Sequence, residues 1–136
     1  MKFVVKGKPI GKQRPKFARR GNFVTTYTPQ KTKDYENTIK NTFLSQIDEK
    51  YDKDYSGAVK IKIWAFFEPC KSYSKKKYNE LLETPHLKKP DGDNIIKIVC
   101  DALNGIAWKD DSQIYDIQIF KYYDEEDKLI VEIDYV

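Results

Sequence analysis

Residues 91–111 read DGDNIIKIVCDALNGIAWKDD. From about Asp93 to Asn104 the apolar residues recur at helical spacing. Ile95, Ile96, Val99, Cys100, Ala102 and Leu103 make one side, which predicts a helix with that side buried. Asn104-Gly105 ends it, since glycine takes the left-handed backbone that closes a helix at no steric cost. Acids bracket the helix: Asp91 and Asp93 at its start, Asp110 and Asp111 past its end. Lys97 lies one turn beyond Asp93 on the same face, and Asp101 continues that face.

Strands flank this helix. Gly57 to Pro69 alternates, with Val59, Ile61, Ile63, Ala65 and Phe67 on one face and Lys60, Lys62, Trp64, Phe66 and Glu68 on the other. Downstream, Tyr115, Ile117 and Ile119 share a face of one strand, and Leu129, Val131, Ile133 and Tyr135 a face of another. The acidic run Asp124–Asp127 reads as the hairpin turn between them. Upstream, residues 2–6 alternate around Phe3 and Val5 as a short strand, and Asn22 to Tyr27 is a second. Between them KGKPIGKQRPKFARRGN is rich in Gly, Pro and cations and is expected to be an extended loop. Thr28-Pro29 reads as a cap and first helical residue. Tyr35, Ile39, Phe43, Ile47 and Tyr51 then recur every four residues along a helix from about 29 to 51. A short helix starts near Ser74, and Thr84 to Pro90 is a loop. The whole predicts one α+β domain over residues 1–136, a mixed or antiparallel sheet with two main helices packed on one face.

A chain of 136 residues buries enough surface to fold without disulfides. Cys70 and Cys100 both lie in apolar surroundings and read as buried, reduced thiols. The N-terminal stretch lacks the apolar run of a signal peptide, and no segment reaches the roughly 20 apolar residues of a membrane span. A soluble, cytoplasmic protein with no membrane contact is expected. Net charge is only +4, but residues 1–33 carry ten Lys or Arg and no acid, whereas residues 110–136 carry nine acids. Such an arm suits a polyanion, although an ordinary solvated surface has the same composition.

Crowded carboxylates repel unless a cation lies between them, and oxygen donors suit a hard divalent ion. Each acid also has a structural reading: Asp93 as a helix cap, Asp101 as a surface acid paired with Lys97, Asp110 and Asp111 as turn residues. Gly92 permits a bend that would let Asp91 and Asp93 face one ion. The spacing does not fit an EF-hand. His86 is the only histidine, which leaves little for Ser-His-Asp or Cys-His catalysis and makes it a loop or surface residue. Trp108 reads as a packed plug before a base-stacking platform.

KKPDGDNIIKIVCDALNG followed by WKDDSQI resembles the signature of the RusA family of Holliday junction resolvases, and GKQRPKF and TYTPQKTKDYE resemble N-terminal segments of its Gram-positive phage and prophage branch. The resemblance covers most of the chain. It implies a RusA-like fold and a homodimeric endodeoxyribonuclease that uses Mg²⁺, with Mn²⁺ as the alternative, and no small-molecule cofactor. The substrate implied is branched DNA, a four-way junction of recombination and repair. By position, Asp91, Asp93 and Asp111 match essential acids, Asp110 a neighbouring acid that supports the metal site, and Lys97 a lysine needed for cleavage. Gly92 departs from the family, which more often has an apolar residue there. DNA contacts are expected from Lys8, Lys12, Arg14, Lys16, Arg19 and Arg20, extended by Lys71, Lys75, Lys76, Lys77, Lys88 and Lys89. Trp64 and Phe66, on the second face of the long strand, are the candidate dimer surface. Rival readings are a metal nuclease acting on flaps or duplexes, a non-catalytic nucleic-acid-binding module, and a structural metal-binding protein.

Overall fold

The computed structural model describes residues 1–49 and 51–136. Its order is β1 (Lys2–Lys6), β2 (Lys16–Arg20), β3 (Phe23–Tyr27), α1 (Gln30–Gln46), β4 (Val59–Phe67), α2 (Lys75–Leu81), α3 (Gly92–Leu103), β5 (Ile114–Tyr123) and β6 (Lys128–Tyr135). Four strands form one mixed sheet in the order β1-β6-β4-β5, and β2 and β3 form a separate hairpin. The α+β class with two main helices on one face holds.

β4 is the centre. Val59, Ile61, Ile63, Ala65 and Phe67 are at most 1% exposed, and its alternate residues are half-buried. Alternation puts the first set under the helices and leaves the second on a face that no helix among the described residues covers. Leu129, Val131 and Ile133 of β6 and Phe3 and Val5 of β1 complete the buried face. Tyr35, Ile39 and Phe43 of α1 and Ile95, Ile98, Val99, Ala102 and Leu103 of α3 lie over it. Ile98 belongs to that stripe although the sequence reading omits it; Ile96 and Cys100 sit at its half-buried margin.

Several expectations need correction. The 124–127 run is a turn, but β5 and β6 do not pair. β4 lies between them, parallel to β5 and antiparallel to β6. The turn therefore crosses the end of β4, where the Glu68 amide donates to Asp127 Oδ1 at 2.8 Å and the Asp124 amide to the Phe67 carbonyl at 3.0 Å. A register shift after Val59 leaves Tyr115 without an opposite residue in β4, so it is 62% exposed and does not share the Ile117 and Ile119 face. α1 begins one residue later than expected, with Pro29 as its flanking residue and no side-chain cap, and it ends at Gln46. Ile47 lies beyond it and is exposed; position 50, within the expected span, is outside the described residues. The basic segment is no simple loop: residues 16–27 form a hairpin whose turn holds Gly21 at φ 60°. Cys70 is exposed, not buried, and Cys100 is half-buried.

Candidate active site

Everything expected of the acids turns on how α3 is seated. Asp91 is extended (φ -69°, ψ 148°) and Gly92 opens the helix, so the chain turns between them without a positive φ at Gly92. A Cβ there would meet Ile119 Cγ2 at 3.5 Å, an ordinary contact, so a small apolar side chain would also fit. Asp91, not Asp93, is the flanking residue of α3. It makes no side-chain cap, and its Oδ2 instead accepts from Lys89 Nζ at 2.8 Å. Asp93 is exposed in the first turn and Lys97 exposed in the second. Unpaired amides and the helix dipole favour negative charge at this end, which offsets part of the repulsion between the two carboxylates.

Asp111 is held from the other end of the helix. Ala107 and Trp108 are buried directly after the Gly105 turn (φ 75°). The Trp108 indole Nε1–H donates to Asp111 Oδ1 at 2.7 Å, so the plug also orients a carboxylate. Asp110 caps the 3-10 turn Asp111–Gln113: its Oδ2 accepts from the Ser112 amide at 3.0 Å, and the Ser112 bonds hold its pKa below the usual carboxylate range. Gln113 closes that box on the Asp110 amide and donates to the carbonyls of Tyr55 and Gly57, each at 3.0 Å. Burial first, and then the charges of Asp111 and Asp101, push the Cys100 thiol up to about 12, which places Asp111 within electrostatic reach of the third turn of α3. Among the described residues no three His, Cys, Asp or Glu side chains stand close enough to hold a metal ion by themselves.

The expected DNA-contacting cations divide into two groups. Lys8, Arg14, Lys16, Arg19, Arg20, Lys76 and Lys89 are exposed. Lys12 is not free: its Nζ bonds Glu36 and lies 3.1 Å from Asp101 Oδ2. Burial pulls its pKa down, but the two carboxylates outweigh that and hold it above the ordinary lysine value. This corrects both readings of the sequence, because Asp101 pairs with Lys12 and no ion pair joins it to Lys97 among the described residues. The Lys12 amide also donates to the Asn94 carbonyl at 2.8 Å. Gly11 packs so tightly that a Cβ would come within 2.9 Å of Pro90 Cβ and 3.0 Å of Asn94 Cβ. The loop after β1 is thus clamped on the start of α3, and a cleft of about 340 Å³ opens there with Lys8, Lys31, Lys89, Asp91 and Asn94 in its wall.

One site residue escaped the sequence reading. Lys121 lies on the helix-facing side of β5, in step with Ile117 and Ile119, and donates to the Lys88 carbonyl at 2.6 Å. Burial lowers its pKa, against the opposing pull of Asp91. The available signal was a lysine at an inward position of an alternating strand.

The family model of endodeoxyribonuclease RusA matches residues 6–134. The chain is also 34% identical over 137 residues to Uncharacterized protein YqaN of Bacillus subtilis (strain 168), covering 98% of this chain and 94% of that one. With the match running from β1 to β6 and both pairs of acids inside it, the chain belongs to the RusA family of Holliday junction endodeoxyribonucleases.

Proposed function

We propose that the chain resolves four-way DNA junctions by Mg²⁺-dependent hydrolysis of one phosphodiester per active site, with Asp91, Asp93 and Asp111 as the metal-holding acids. The observation that carries this is the Asp91 carboxylate, which stands at a helix start yet is not spent on capping it. Its neighbour Asp93 is exposed, and the adjoining cleft is lined by lysines. The donor set is all carboxylate oxygen, which fits Mg²⁺. That ion is commonly held by one or two carboxylates, with waters and substrate phosphate completing its shell, so a full protein cage is not required. When bound, Mg²⁺ supplies a more acidic water and charge neutralisation at the phosphate, and Mn²⁺ has the same donor preference.

The protein's own groups have distinct tasks. Asp91 and Asp93 are fixed by the first turn of α3, and Asp111 by the Trp108 indole. Asp110 holds the turn that presents Asp111. Lys89 neutralises Asp91 until DNA and metal compete for it. Lys97, exposed one turn beyond Asp93, stabilises negative charge building on the phosphate. DNA is gripped by Lys8, Arg14, Lys16, Arg19, Arg20 and Lys76. The exposed rings of Phe17 and Phe23 add stacking surface on the hairpin. Lys12 contributes by holding the loop in place.

Two symmetric cuts need two copies. The sheet face without helices carries an apolar row, Val4, Ile130, Trp64 and Phe120, one residue from each strand at matching register. Trp64 and Phe120 stack at 5.9 Å. A row of this kind, pairing with itself across a two-fold axis, makes the homodimer. The setting is the cytoplasm, where junctions arise.

The test is a labelled four-way junction incubated with and without Mg²⁺. The native chain cuts only with the ion, and Asp93→Asn does not cut. Lys97→Met binds the junction but leaves it whole. Cutting by Asp93→Asn at the native rate would refute the assignment, and preference for flaps or linear duplex would move the substrate to another DNA.

A further inference from the structure

A second cleft adjoins the first, and the chemistry of its wall is unused by the acids. His86 forms its floor, 8% exposed, stacked on Phe67 at 3.9 Å and meeting the edge of Tyr123 at 4.9 Å. Its Nδ1 is sealed from solvent and has no partner. A sealed Nδ1 leaves Nε2 as the ring nitrogen that a ligand can meet. The charges around it are lysines from three separate segments: Lys8 after β1, Lys88 before α3, and Lys121 on β5. Burial and these three cations depress its pKa to about 4, so at neutral pH the ring is uncharged and keeps one N–H to donate. Neither Lys8 nor Lys88 has a carboxylate in ion-pair range among the described residues; Lys88 Nζ bonds only the Tyr73 hydroxyl, at 2.9 Å. The one acid in the wall, Glu68, is engaged by the Tyr78 hydroxyl at 2.8 Å and by Lys71 at 3.8 Å.

Cations gathered from three segments around a neutral donor repel one another unless an anion joins them. Lys8 and Lys89 line this cleft and the Asp91 cleft alike, so the two are neighbours. We propose that the His86 cleft is a phosphate subsite. It takes the backbone phosphate of the DNA strand next to the one being cut, held by Lys8 Nζ, Lys88 Nζ and the His86 imidazole. The proposal rests on the nuclease reading above, since it takes the strand as lying across Asp91. The subsite would set the register of the strand, fixing which phosphodiester reaches the acids, without touching the reacting atoms. His86, a plain loop residue by sequence, is then a positioning residue.

Because His86 is the chain's only histidine, its ring protons report the cleft without assignment. In the native chain without Mg²⁺, a short single-stranded oligonucleotide is expected to shift the His86 Hε1 resonance, and inorganic phosphate at equal concentration to shift it far less. In binding assays, replacing one phosphate beside the cut with a neutral methylphosphonate should weaken junction binding roughly tenfold, as expected for a lost charged hydrogen bond. Lys8→Met/Lys88→Met should bind the unmodified junction about as weakly and be indifferent to that replacement. His86→Phe, which preserves the stack on Phe67, should show a smaller loss at the same position. An equal methylphosphonate penalty in the native chain and the double variant, or a shift with inorganic phosphate alone, would overturn the subsite. If the native chain cuts junctions with Mg²⁺ and these results still fail, only the subsite falls; if it never cuts, the nuclease reading falls first.

Discussion

The acid-bearing segment and the basic hairpin answer opposite demands. Asp111 stands on a turn braced by Trp108, which is 1% exposed, and by Gln113, which reaches back to the chain before β4. Asp91 stands on a helix whose next turns bury Ile95, Ile98 and Val99. The hairpin buries nothing comparable: of its ten strand residues only Ala18 is not exposed. A two-stranded hairpin without a covered face is marginal in water. Under the proposed function it is a segment completed by DNA, whereas the acids need a scaffold that does not move. Groups that act on a reacting atom are useful only when positioned to fractions of an ångström, and a charged arm that grips a backbone tolerates far more play.

That contrast can be broken experimentally. Asp111→Asn should lower junction cleavage by roughly 10³-fold while leaving binding in place, as expected when one preorganised charge at a reacting centre is lost. If cleavage persists, the braced turn serves the fold alone. Exchanging residues 16–27 for a short Gly-Ser link should do the reverse. Affinity should fall by about 10²-fold and the slope of log K against log salt by about three, reflecting Lys16, Arg19 and Arg20, with the melting temperature unchanged. A large drop in melting temperature would show that the hairpin belongs to the core after all. Trp108→Phe keeps most of the packing and deletes the indole donor. It should slow cleavage by about tenfold and cost roughly 1–3 kcal/mol in denaturant unfolding. Equal activity would mean that Asp111 needs no orientation.

The smallest effect concerns pH. His86 titrates near 4 when folded, against its usual 6.5. Between those values the unfolded chain takes up a proton that the folded chain refuses, so stability should decline as pH falls from about 6.5 towards 4. His86→Phe should flatten that part of the stability profile, and an unaltered profile would point to the carboxylates as its source.

Much of this was legible in advance because local rules governed it. The five inward residues of β4, the stop at Asn104-Gly105 and the apolar side of α3 follow from periodicity and from glycine's backbone freedom. Of the hairpin at 16–27, the strand ending at Tyr27 was legible, but its partner Lys16–Arg20 was not, because neither face of that segment is apolar and alternation carries no signal there. The hairpin expected across the 124–127 turn failed for another reason. Two strands in succession suggest a hairpin, yet β4 contributes the central apolar strand and takes the place between them. Asp101 and Lys12 are 89 residues apart in the chain, so their pairing could not be read from helix spacing.

Local sequence alone determined most of the helices and strands, that carboxylates bracket α3, and that cations gather at the N-terminal end, since each depends on neighbours within a few positions. Only the tertiary structure decided that Lys12 is consumed by Glu36 and Asp101, that Trp108 aims Asp111, and that His86 lies among Lys8, Lys88 and Lys121. Those arrangements join residues from distant parts of the chain, and it is burial across the β4-centred sheet that brings them together.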